Sequence, residues 1–255
     1  MTNAKAAGPL SGCAGMEGAD PLSPRLTVAL LDSCLQSAGR SFEEGELAYL
    51  ALTSQIENPV RDRVAYQLHR RFKGTHLDVG REWTGMYAEG KDGQPSPRKI
   101  DLAVVKRTRR HHVEPQGVVE FKAVYAYEAQ TRGHLNRVEK QVTTDVFKSA
   151  TAYGSVPNDV YAVVLLPSMT IKNERSLARH VMKGTDKIRI DGFRLQVGNV
   201  PDSVVKGVAD RLAPLGPVRD GVLEGGMEYG VHVTVPYVIL GPIPLTTFET
   251  LPSPY

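Results

Sequence analysis

The chain has 255 residues, 41% of them hydrophobic and 23% charged, with a formal net charge of +3. Such length and balance suit a globular protein with a substantial core, and they exclude disordered, collagen-like and supercharged chains. Cys13 and Cys34 are the only thiols and form no CxxC pair, which argues against a disulfide framework or a structural zinc site and fits a reducing cytoplasm.

Residues 1–23 are rich in Gly, Ala, Ser and Pro and read as a flexible N-terminal tail. No basic start leads into an apolar stretch there, so no signal peptide is expected, and no apolar run is long enough to span a membrane. Residues 24–245 read as a single α/β domain, and 246–255 as a proline-containing C-terminal tail. Two helices are expected near 24–38 and 42–52. A third is better marked: Asn58-Pro59 reads as an N-cap and first-turn proline, and Ile56, Val60, Val64, Leu68 and Phe72 recur every four residues. Glu57 opens this helix, either to complement its dipole or to join a metal site. Arg61, Arg63, Arg70 and Arg71 are expected on its outer faces.

A strand ending in a Gly/Pro-rich loop follows, with Trp83 read as a packing residue. Two closely spaced strands come next. Ile100, Leu102 and Val104 lie opposite Asp101 in the first. In the second, Val119 and Phe121 alternate with Glu120 and Lys122. If the two form a hairpin centred on Arg110-His111, Asp101 and Glu120 stand equally far from the turn. Directly opposed residues share a face, with Cβ atoms about 5 Å apart. Two carboxylates and an amine then converge. Close carboxylates repel unless a cation lies between them, and Mg²⁺ takes one or two carboxylates and completes its shell with water and phosphate oxygens. A solvent-facing Lys–Glu ladder is the plainer alternative. From Arg98 to His112 six Lys or Arg face a single Asp. This cluster can attract a polyanion, and Arg107, Arg109 and Arg110 are its candidate contacts; a solvated hairpin tip is the competing reading.

Downstream, a helix over His134–Tyr153 buries Leu135, Val138, Val142, Val146, Ser149 and Tyr153. Gln141, Asp145 and Lys148 share an adjacent stripe, where Asp145 and Lys148 read as an ion pair. Val160–Leu166 is apolar throughout, as in a parallel strand covered on both faces. Ser176–Lys183 reads as helical and Lys187–Val197 as strands. Asp202-Ser203 opens a helix to Leu212, and Val231–Leu240 is a last strand.

Asp101, Glu120 and Lys122 on consecutive strands, with a glutamate-bearing helix before them and a helix after them, resemble the PD-(D/E)xK nuclease superfamily over roughly residues 50–170. The departure is at the proline of that signature, since Lys99-Ile100 precede Asp101. The resemblance implies a restriction-endonuclease-like core: a mixed β-sheet flanked by helices, here with added N-terminal helices. It implies catalytic residues Asp101, Glu120, Lys122 and Glu57. Asp101 and Glu120 would hold Mg²⁺ (or Mn²⁺), and Lys122 would assist the attacking water. The expected activity is phosphodiester hydrolysis, endo- or exonucleolytic, with nucleic acid as partner, DNA by analogy, and a homodimer or larger assembly compatible with it. A catalytically inactive nucleic-acid-binding or assembly module on the same fold, or an RNA endonuclease, stays open. No GxxxxGK[ST], GxGxxG or GxSxG motif points to another chemistry.

Overall fold

The structure is a computed structural model, which describes residues 24–89, 94–109, 112–151, 159–171, 202–244 and 247–248. The N-terminal tail, the Arg110-His111 turn, Tyr153, the segments 176–183 and 187–197, and nearly all of the C-terminal tail lie outside the described residues.

In chain order the elements are α1 (Val28–Gly39), α2 (Glu46–Thr53), α3 (Glu57–Phe72), β1 (Leu77–Glu89), β2 (Pro95–Arg109), β3 (His112–Ala123), a 3-10 turn (Ala126–Ala129), α4 (Arg132–Ala150), β4 (Asp159–Leu165), β5 (Ser168–Ile171), α5 (Asp202–Leu212), a second 3-10 turn (Ala213–Leu215), β6 (Val218–Glu228) and β7 (Val231–Ile243). The result is an α/β fold on a mixed seven-stranded sheet flanked by helices.

Strands β1, β2 and β3 form an antiparallel meander. β4 then joins β3 in parallel, which requires a crossover, and α4 supplies it. β7 closes the sheet: β4 and β5 pair with successive parts of one edge, and β6 runs along the other. No helix among the described residues is long and apolar enough to cross a membrane.

Strand alternation sorts the core into two layers. Leu102, Val104, Val119, Phe121, Tyr161, Val163 and Leu165 pack with α1, α2 and α3. Ala103, Val118, Val160, Ala162 and Val164 pack with α4 and α5. The stripe of Val60, Val64, Leu68 and Phe72 fixes α3 on the first face, and Val138, Val142 and Val146 fix α4 on the second. Ile100 departs from the expected parity: it packs in the α4 layer, beyond the point where β2 leaves its regular ladder with β3.

Two helix starts also differ from expectation. α1 begins at Val28, because Thr27 Oγ1 accepts the Leu30 N–H at 3.1 Å and caps it there. α3 begins at Glu57 with Ile56 as its N-cap, so Asn58 is not the cap. Pro59 is tolerated anyway, since first-turn N–H groups have no intrahelical acceptor. Trp83 is partly buried against the α4-side core, its ring over Gly80 and Gly85. A Cβ at Gly85 would lie 2.1 Å from that ring.

Candidate active site where two strands part

The ladder between β2 and β3 pairs Leu102 with Val119, Ala103 with Val118 and Val104 with Gly117. One step further along that register Asp101 stands opposite Glu120. The register slips by one residue between Val104 and Val105 and returns between Arg107 and Arg109. The two irregularities cancel across the hairpin.

Beyond Leu102 the strands separate, and β3 loses its backbone partner while its N–H groups still need acceptors. Carboxylates supply them. Asp101 Oδ2 accepts the Phe121 N–H at 2.9 Å. Glu57 Oε2, from the first turn of α3, accepts the Ala123 N–H at 2.9 Å. Two acidic side chains thus take over from β2 along one edge of β3, two residues apart.

Glu120 points to the α4 side, where the hydroxyl of the buried Ser149 donates to its Oε1. Burial pushes the Glu120 carboxyl well above the ordinary glutamate range; the Ser149 hydroxyl works against this, and Asp101, close enough to share a proton with it, works with it. Glu57 is also raised, first by burial and further by Asp101, against the Ala123 N–H and the Lys122 ammonium. Lys122 shares the α4 side with Glu120. Its Nζ lies 3.8 Å from Asp145, which also meets Lys148 at 3.6 Å. The expected Asp145–Lys148 pair is therefore present, and it is tied to the strand lysine.

The crowding of Asp101 against Glu120 is the test of whether a divalent ion suits these residues. Two acidic groups this close are held together by a shared proton or by cations, of which Arg61 already supplies one to Asp101. Each carboxylate has more acceptor sites than its present hydrogen bonds use. Among the described residues no three His, Cys, Asp or Glu side chains stand together as a ready ligand set. An ion here would therefore have two carboxylates and complete its shell with water and substrate oxygens, which is the habit of Mg²⁺ and not of a closed zinc or calcium cage.

A cleft of about 490 Å³ opens beside Lys122, lined by Tyr127, His134, Arg137 and Gln141 among others. The N-terminal half of α4 lines this cleft with His134 and Arg137, whereas its C-terminal turn, through Ser149, meets Glu120.

Sequence reasoning missed two members. Arg61 is not an outer-face residue: it is 5% exposed, and its Nη1 lies 3.3 Å from Asp101 Oδ1. The signal was its place one helical turn after Glu57, on a stripe beside Val60 and Val64. Ser149 was read only as part of the buried stripe, yet a hydroxyl among apolar positions needs a partner. Arg107 is exposed near the far end of β2, six residues from Asp101, which is roughly 20 Å of strand. Arg109 closes β2, and Arg110 lies outside the described residues. Compared with protein-family models, with curated proteins and with solved structures, the chain matches none.

Proposed function

We propose that this protein is a Mg²⁺-dependent nuclease of the restriction-endonuclease-like class, hydrolysing phosphodiester bonds in DNA. The observation that carries the reading is the meeting of Asp101 and Glu120 where β2 and β3 part, with Lys122 on the same strand beside Asp145 and Glu57 on the strand edge. The order α3–β1–β2–β3–α4–β4, with β4 parallel to β3, supports the same class.

In this reading Asp101 and Glu120 hold the ion, and Mn²⁺ can replace Mg²⁺. When bound, the ion supplies Lewis acidity toward a phosphoryl oxygen and makes water a better nucleophile. The chain's own residues do the rest. Asp101 is oriented from both sides, by the Phe121 N–H and by Arg61. Ser149 orients Glu120. Lys122 is held at the cleft wall by Asp145, where its ammonium can place the attacking water or offset charge that develops on the phosphate. Arg137 and His134 line the approach of a polyanionic strand.

The test is cleavage of supercoiled and linear DNA by the purified chain with Mg²⁺, Mn²⁺ or chelator. Cleavage should require the ion, and Lys122→Ala should lower turnover by ~10²-fold or more while leaving the circular dichroism spectrum unchanged. Cleavage undiminished in Lys122→Ala, with contaminating nuclease ruled out by an Asp101→Asn control, would refute the assignment. Metal-independent binding without cleavage would instead select the non-catalytic module on the same fold.

A further inference from the structure

The Arg61 guanidinium is surrounded by carboxylates from three elements. Asp62 of α3 accepts from its Nη2 at 3.1 Å, Glu82 of β1 lies 3.5 Å from the same nitrogen, and Asp101 of β2 lies 3.3 Å from Nη1. A single positive charge that is 5% exposed needs one partner, not three. The outer two have cations of their own: Arg81 reaches Asp62 at 2.6 Å, and Lys99 reaches Glu82 at 2.9 Å. The charge left for Asp101 is that of Arg61.

The backbone is bent to make this arrangement. Glu82 has φ 48, a left-handed conformation that residues other than glycine seldom adopt, and it sits beside the irregularity where the β1–β2 register shifts between Trp83 and Met86. Before the shift, between the Arg81–Leu102 and Trp83–Ile100 pairs, Glu82 stands across from Asp101, and its carboxylate meets Arg61 and Lys99. Such strain persists where the surroundings enforce it, and it gathers at functional sites.

Resting on the nuclease reading above, we propose that Arg61 is a built-in cation that takes the place of a second metal ion beside Asp101, so that this centre works with one divalent ion. In two-metal sites a shared carboxylate bridges ions about 3.5–4 Å apart. Here Asp101 faces Glu120 on one side and the guanidinium on the other. Arg61 keeps its charge at any working pH and is planar, so it fixes Asp101 in one orientation. It cannot deliver a water molecule, which leaves that task to the single ion and Lys122. Arg61 is thus a positioning residue that acts through Asp101.

Mn²⁺ titration of the full chain, followed by electron paramagnetic resonance and calorimetry, decides the matter. The wild-type chain should saturate at one ion per chain at concentrations that support full cleavage. Arg61→Lys, which keeps the charge, should do the same. Arg61→Gln leaves Asp101 without its buried cation and should raise the stoichiometry to two. A second ion in the wild type or in Arg61→Lys, or a single ion in a folded Arg61→Gln, overturns the inference; should Arg61→Gln fail to fold, the other two proteins decide it. A wild-type chain that binds no Mn²⁺ refutes the nuclease reading itself.

Discussion

Glu120 is largely shielded from water, with a hydroxyl at one oxygen and Asp101 pressed against it, so its carboxyl holds a proton well above the ordinary glutamate value of 4.5. The folded state then binds this proton more tightly than the unfolded chain does. Without metal, that contribution to stability is complete below pH 4.5 and is lost as pH rises through the elevated value. Glu57, also raised, has the same sign. A divalent ion reverses the situation at Glu120 by taking the place of the proton, so its affinity should climb with pH over the same window. Glu120→Gln retains an acceptor for Ser149 and removes the charge. In calorimetric melts with chelator it should exceed the wild type in Tm at pH 8 and match it near pH 4. The wild type should gain ~2.7 kcal/mol at an ion concentration of 100 Kd, roughly 5–10 °C in Tm, and the variant should gain nothing. A variant less stable than wild type at pH 8, or one still stabilised by Mn²⁺, would contradict this account of the site.

At the scale of elements, the site exists because β3 outlasts its partner. Where β2 departs, Glu57 satisfies the Ala123 N–H, so the residue has a structural task apart from any chemistry. The two can be separated. Glu57→Ala leaves that N–H without its acceptor and should cost ~1–3 kcal/mol in urea denaturation. Glu57→Gln keeps a carbonyl for the bond and should hold wild-type stability. If the carboxylate also takes part in catalysis, Glu57→Gln alone should lose cleavage at full stability; equal activity in Glu57→Gln and wild type would confine Glu57 to the strand edge. The opposition of Asp101 and Glu120 was legible in the sequence because a strand's side chains alternate strictly and a tight turn sets the register. It survived two slips only because they cancel. The helix stripes were legible for the same reason of period, as Val60, Val64 and Leu68 show. What sequence could not convey is reach across elements. Nothing local says that Arg61 leans to β2, that Glu82 turns back to meet it, or that Ser149 looks up at Glu120. Asn58 fails as a cap because capping residues are identified by type, and here the helix start is set by Glu57 bridging to another strand.

Across the whole molecule, Arg107 and the carboxylate cluster lie well apart along β2, about 20 Å by strand rise. On the proposed function, a duplex that touches both must extend about six base pairs beyond the phosphate at the carboxylates. Replacing Arg107, Arg109 and Arg110 together with Ala should lower the slope of log K against log salt by up to about three for long duplexes, one for each phosphate no longer neutralised. It should leave duplexes shorter than that span unaffected. An unchanged slope on long duplexes would make the hairpin tip a solvated or protein-docking feature and would move the phosphate-binding surface to the cleft beside Arg137 and His134. The sheet carries a different consequence in β7. The stretch from α3 to β4 that builds the site is nearly contiguous in the chain, whereas β4 finds its outer neighbour only in the strand after α5 and β6. Loop-closure entropy makes such distant pairings late events. Until β7 docks, β4 presents Val160–Leu166, apolar on both faces and unpaired along one edge, so the emerging chain passes through an adhesive state just after Asp101 and Glu120 have met.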